Sequence, residues 1–166
     1  MIENKTFQDF GLNRFLENAI DDLGFEKPTA IQVAAFPIVR SGNNVVGISQ
    51  TGTGKTVAFM LPILQDLKFS KQVHPRILVL LPTRELVVQI VEEIEKLMTY
   101  MSHRIVGVYG GANINTQAQE IAQGCSILVS TPGRLYDLAS VSYTHLRAHE
   151  TGRNLVCRLL LEKKKK

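Results

Sequence analysis

Little in this sequence points to chemistry carried by cysteine. The 166 residues include two, Cys125 and Cys157, far apart in the chain. Such a pair fits a reduced interior better than a disulfide framework. Histidine is sparse as well: His74, His103, His145 and His149 are scattered, and no metal cage is expected from them. No apolar run approaches ~20 residues, so no membrane-spanning helix and no membrane partner are expected. The opening Met1-Ile2-Glu3-Asn4-Lys5-Thr6 lacks the apolar core of a secretion signal, and a cytoplasmic address is expected. A basic surplus is also missing from most of the chain. The net charge is +4, yet residues 1–140 hold 12 Lys and Arg against 13 Asp and Glu, whereas residues 141–166 hold 7 against 2. Bulk charge therefore gives no support for nucleic-acid binding by the first 140 residues.

What is present is one ordinary domain's length of chain, with the 45% hydrophobic and 20% charged content of a globular protein. Leu12, Leu16, Ile20 and Leu23 recur at helical spacing and predict an amphipathic helix over 7–23. Thr29 can cap a second helix from Ala30, which ends at Ser41-Gly42 and carries Pro37 inside it. Val45-Val46-Gly47-Ile48 predicts a buried strand, and Val57 onward a helix to about Leu67 that Pro62 bends. Apolar strands follow at 76–81, 104–109 and 126–130, separated by helices over 84–100 and around 114–123. A last helix opens with Pro132 at its first position. Strands alternating with helices give an α/β domain with a parallel sheet, and right-handed crossovers put the loops after each strand on one sheet edge.

Between the first strand and its helix lies Ser49-Gln50-Thr51-Gly52-Thr53-Gly54-Lys55-Thr56. A glycine-rich turn ending in Lys-Thr at a helix start is what a phosphate cradle requires. Backbone N–H groups point inward, glycines admit the phosphates, and the helix dipole favours the negative charge. Lys55 would reach the outer phosphates and the Thr56 hydroxyl would ligate Mg²⁺. Ser49 stands where this pattern usually begins with glycine.

Three further turns are bland singly and informative together: Pro82-Thr83-Arg84-Glu85-Leu86, Gly110-Gly111 and Thr131-Pro132-Gly133-Arg134. With the cradle and Gly24-Phe25-Glu26-Lys27-Pro28-Thr29-Ala30-Ile31-Gln32, they resemble the N-terminal RecA-like domain of DEAD-box ATP-dependent RNA helicases, in particular its compact bacterial members. The resemblance covers residues 7–139. It implies a RecA-like P-loop domain, with ATP and Mg²⁺ as cofactors and single-stranded or duplex RNA as partner. Gln32 would read adenine through its amide and Phe25 would stack on the base, with Lys27 and Phe7 at family positions; core packing is the competing reading for both phenylalanines. Pro82, Thr83, Arg84, Gly110, Gly111, Thr131, Pro132, Gly133 and Arg134 match segments that grip RNA by its backbone. Such a grip is sequence-independent and salt-sensitive. For Arg84 a structural role, bridging loops within the domain, stays open beside the phosphate contact.

The resemblance ends near Ala139. The Asp-Glu-Ala-Asp run that names the family is not found; the only acids after Asp137 are Glu150 and Glu162. In the family, the carboxylates of that missing run would hold Mg²⁺ through water and position the attacking water. The expected organisation is a partial N-terminal domain over 1–140 that is incomplete at its C-terminal side, binds ATP and does not turn it over alone. A non-catalytic nucleotide-binding module is the alternative. The basic residues 141–166 are expected to be an artefactual tail, with a disordered or helical basic tail or an RNA-binding extension as the alternatives. Loss of the neighbouring strands would leave the 44–48 strand with an open edge and an exposed apolar face, so a marginal, aggregation-prone fold is expected.

Overall fold

The apolar runs at 77–80, 105–108 and 127–130 do become strands, because each finds a partner for its backbone groups. In the computed structural model, which describes residues 5–141, they are β1 (Ile77–Leu80), β2 (Ile105–Val108) and β3 (Ile127–Ser130). All pair in parallel in the order β1-β3-β2, with Ile77 and Ile105 both opposite Ile127, and Leu80 and Val108 both opposite Ser130. The ladder runs one residue further, Leu81 N–H donating to Ser130 O (2.9 Å) and Thr131 N–H to Val108 O (3.2 Å). Every side chain of β3 is buried, as expected of a central parallel strand covered on both faces. The expected tail lies outside the described residues, Val141 excepted, and so do Cys157, His145 and His149.

The chain divides into two compact units, each described by itself. Among the described residues, one comprises the chain up to Lys68 together with 93–102, and the other comprises 69–92 and 103 onward. In the sheet-bearing unit, Val106, Val108 and Leu128 pack with Ile121 of α5 (Ile114–Ala122), Leu138 of α6 (Pro132–Val141) and Cys125. Each fully buried aliphatic side chain of this kind contributes about 1.5–3 kcal/mol. Gly107 has a packing reason: a Cβ there would stand 2.9 Å from Val91 Cγ2 and 3.3 Å from Val87 Cγ1. Both valines lie on α4 (Arg84–Leu97), so only glycine lets that helix come so close.

The other unit is helical. A 3-10 turn at Phe7–Phe10 leads to α1 (Arg14–Asp22), α2 (Ala30–Arg40) and α3 (Lys55–Asp66). α3 is buried at every position from Val57 to Leu64, the sign of a helix enclosed on all sides. Pro37 and Pro62 both sit inside helices that run through them. Phe10 stacks on Phe36 of α2 at 4.3 Å between ring centroids. From α3, Gln65 accepts from Asn13 N–H (2.8 Å) and donates to Gly11 O (3.0 Å), pinning the turn before α1.

Two expectations are corrected. The helix expected over 7–23 is interrupted because Gly11 takes a left-handed conformation (φ 59°) and Asn13 starts a new helix by capping Leu16 N–H. The strand expected at 45–48 does not form. A strand exists only where a neighbour completes its ladder, and no backbone hydrogen bond joins 45–48 to any described residue. Val46 and Ile48 are accordingly 79% and 80% exposed rather than buried.

Candidate functional site

Helix α2 begins with a reciprocal cap, and that cap grips the glycine loop. Thr29 N–H donates to Gln32 Oε1 (2.9 Å), while Gln32 Nε2 donates to Gly54 O (3.2 Å) and the Thr29 hydroxyl donates to Thr53 O (2.9 Å). Gln32 is buried, so its own two bonds are partly shielded from water, whereas the Thr29 hydroxyl bond is exposed. Its amide retains one further N–H and one further lone pair. Gly52 (φ 80°) and Gly54 (φ 74°) both take the left-handed conformation, which turns the loop into the N-terminus of α3. Ser49, standing in place of glycine, hydrogen-bonds through its hydroxyl to that of Thr53 (2.8 Å), and Thr53 donates to Gln50 O (2.9 Å). The Lys55 ammonium donates to Ser49 O and to Gln50 O (2.8 Å). Two of its three protons are thus directed at the loop's own carbonyls and one remains for a phosphate. Thr56 is half-buried in the first turn of α3; Thr51 and Lys27 are exposed.

Phe25 keeps a 40% exposed ring, stacked at 6.5 Å on buried Phe7, which meets Phe10 edge-on at 5.8 Å. Core packing thus describes Phe7, whereas Phe25 still has a face to offer. Together the cradle, the cap and the aromatic row can hold an anion at a helix N-terminus and a flat ring against Phe25.

In the sheet-bearing unit, parallel pairing puts the ends of β1, β2 and β3 at one edge, and the turns at 82–86, 110–111 and 131–134 follow directly. Thr83 caps α4 through Leu86 N–H (3.3 Å). Its neighbour Glu85 has a carboxyl held below the usual carboxylate range by its own backbone N–H and by the Thr83 hydroxyl. The Arg84 guanidinium lies over the Tyr109 ring, 4.9 Å from its centroid. Arg134 is buried, donating to Gln117 Oε1 (2.9 Å) and to Ala112 O (3.0 Å), and its Nε is 3.9 Å from Asp137. The guanidinium therefore fastens α5 and the loop before it to the start of α6. Pro82, Pro132, Gly110, Gly111 and Gly133 are exposed and Thr131 half-buried, leaving the turns' backbone accessible.

Sequence reasoning missed Tyr109, Gln117 and the loop-gripping role of the Thr29 hydroxyl. The placement of Tyr109 beside Gly110-Gly111 was the one local signal; the other two contacts span 17 and 24 residues.

A family model described as DEAD/DEAH box helicase matches residues 29–155. The chain belongs to that family. Among curated relatives, it is 44% identical over 138 residues to "ATP-dependent RNA helicase DeaD" of Haemophilus influenzae, covering 82% of this chain and 22% of that protein. It is 43% identical over 142 residues to "DEAD-box ATP-dependent RNA helicase 42" of Oryza sativa, covering 83% of the chain and 14% of the relative. A crystal structure of a hypothetical ATP-dependent RNA helicase from Sulfolobus tokodaii superposes with a TM-score of 0.70 at 37% identity. It covers 79% of this chain and 37% of that one. The chain therefore spans about a fifth or less of these curated relatives' length. The fold read from the sequence, an α/β RecA-like domain with a parallel sheet flanked by helices, is the one this DEAD/DEAH box member has. Among the described residues, no helix is long and apolar enough to cross a membrane, and no three His, Cys, Asp or Glu side chains cluster as metal ligands would.

Proposed function

We propose that this chain is the ATP- and RNA-binding part of a DEAD-box RNA helicase, which in the whole protein couples ATP hydrolysis to local separation of RNA strands. The observation that carries the nucleotide half is the double hold of Thr29 and Gln32 on the Thr53 and Gly54 carbonyls. It joins the segment expected to read the base to the loop expected to hold the phosphates. Lys55 and the backbone N–H groups at the start of α3 hold the phosphates in this reading, and Phe25 and the spare valences of Gln32 face adenine. The Thr56 hydroxyl offers one oxygen to a Mg²⁺ otherwise held by phosphate and water; the ion supplies charge neutralisation at the phosphates.

RNA is gripped along its sugar-phosphate chain, without base preference, by Arg84 and the exposed turns around Gly110-Gly111 and Thr131-Pro132-Gly133. In this reading the chain by itself binds ATP without hydrolysing it, because its sequence does not contain the Asp-Glu-Ala-Asp run expected to position the attacking water.

Titration calorimetry with ATP and GTP tests this reading. Lys55→Ala removes a charge-assisted bond worth about 1.5–3 kcal/mol, and a loss of ATP affinity of roughly ten- to a hundred-fold is expected. Because Gln32 also holds the loop, Gln32→Ala should weaken both nucleotides; what marks base reading is a fall in the ATP-over-GTP ratio. An unchanged ratio removes the adenine assignment, and RNA-stimulated ATP turnover by residues 1–166 removes the claim of binding without hydrolysis.

A further inference from the structure

Arg84 is exposed, and among the described residues no hydrogen bond or ion pair holds its guanidinium. Five N–H donors on a side chain with four rotatable bonds would ordinarily sample many directions. Here the direction is set by an aromatic face, with Cζ 4.9 Å from the centroid of the Tyr109 ring, inside the ~6 Å reach of a cation–π contact. The placement has a second consequence. Arg84 Nη1 lies 3.9 Å from where a Cβ on Gly111 would stand, so the guanidinium sits beside the glycine turn. Gly111 itself takes φ 89°, a conformation that strains any residue with a side chain. The ring, the cation and a bare stretch of backbone thus adjoin at the end of β2.

We propose that Tyr109 is a positioning residue whose ring holds Arg84 beside the Gly110-Gly111 turn, so that a phosphate seated on that turn meets a cation already aimed at it. The inference rests on the reading of this sheet edge as an RNA-backbone grip. Tyr109 itself contacts no phosphate; its contribution is the loss of freedom it has already imposed on Arg84 before RNA arrives. A tyrosine suits the position because it follows β2 with a half-buried side chain, where a leucine would be apolar but lack the π face.

The test is fluorescence anisotropy of a labelled single-stranded RNA with the full chain over a salt series, for wild type, Arg84→Ala, Tyr109→Leu, Tyr109→Gln, Tyr109→Phe and the double variant Arg84→Ala/Tyr109→Leu. Arg84→Ala should weaken binding and lower the slope of log affinity against log salt by about 0.7, the loss of one single-strand phosphate contact. Tyr109→Leu and Tyr109→Gln should weaken binding about two- to five-fold, and Tyr109→Phe should bind as wild type. The double variant should bind no more weakly than Arg84→Ala alone, because Tyr109 acts only through Arg84. Losses that add in the double variant overturn the inference, as does a Tyr109→Phe protein as weak as Tyr109→Leu. If Arg84→Ala changes neither affinity nor slope, the RNA-grip assignment of Arg84 falls, and the role of Tyr109 with it.

Discussion

Gly52 and Gly54 sit two residues apart in the same loop, yet adding one methyl group to each should have very different costs. Both are left-handed, at φ 80° and 74°, so alanine at either position carries backbone strain of about 1–2 kcal/mol. At Gly52 that is the whole cost, because a Cβ there meets nothing within 4 Å. At Gly54 the new Cβ would be driven into Gln32 Nε2, closer than any real contact allows. The buried amide must then leave, losing its bond to Gly54 O and uncapping Thr29 N–H, at about 1 kcal/mol each. Gly52→Ala should therefore cost about 1–2 kcal/mol and Gly54→Ala about 3–4 kcal/mol. For a chain of this length the gap corresponds to a melting temperature lower by roughly 4–8 °C in Gly54→Ala, read by circular dichroism. Truncating the opposing side chain supplies the control: in a Gln32→Ala background, Gly54→Ala should cost only its backbone strain. Equal melting temperatures for the two alanine variants, or additive losses in the double variant, would refute the proposed clasp between α2 and the loop.

Further outcomes follow from two buried groups. Burial pushes the Cys125 thiol up to about 11, against a weaker opposing pull from Arg104. In a Cys157→Ser background, alkylation at pH 8 should therefore be slow and accelerate only with unfolding; rapid labelling of the native protein would contradict the burial. The same shift has a sign for stability. The folded state keeps the proton longer, so this contribution is complete below the unfolded pKa near 9 and is lost as pH rises toward 11. Arg134→Lys should lower stability by about 2 kcal/mol, since an ammonium cannot serve Gln117 and Ala112 together as the guanidinium fork does. An unchanged denaturation midpoint would show that the fork contributes nothing.

How much was legible depended on whether the decisive partner was near in sequence. The strands β1, β2 and β3 could be read because an uninterrupted apolar run such as Ile77–Leu80 has few other ways to be buried. The start of α2 could be read because its cap is local, Thr29 to Gln32. Val45–Ile48 shows the limit of that logic: composition says what would stabilise a strand, and only a neighbouring ladder makes one. Within the site, the cradle was legible from its glycines, whereas the burial of Arg134 was not. A charged residue in a binding motif invites the assumption that it faces solvent, and Gln117, its partner, lies a helix away. Tyr109 escaped because a strand-ending aromatic ordinarily means core, and its contact with Arg84 depends on two parallel strands ending at the same level.

The sheet order has a consequence for how this molecule comes into being. Among the described residues β1 and β2 are not paired with one another; each pairs with β3, which is synthesised after both. As the chain emerges, Ile77–Leu80 and Ile105–Val108 must therefore wait as unpaired apolar segments until Ile127–Ser130 arrives to join them. Among the three described strands the central one is both the last made and the keystone, so their pairing depends on one late, long-range event rather than being built hairpin by hairpin. A pause or lesion just before Ile127 would leave two sticky strands with no third, and the hazard of misassembly is concentrated in that interval of synthesis.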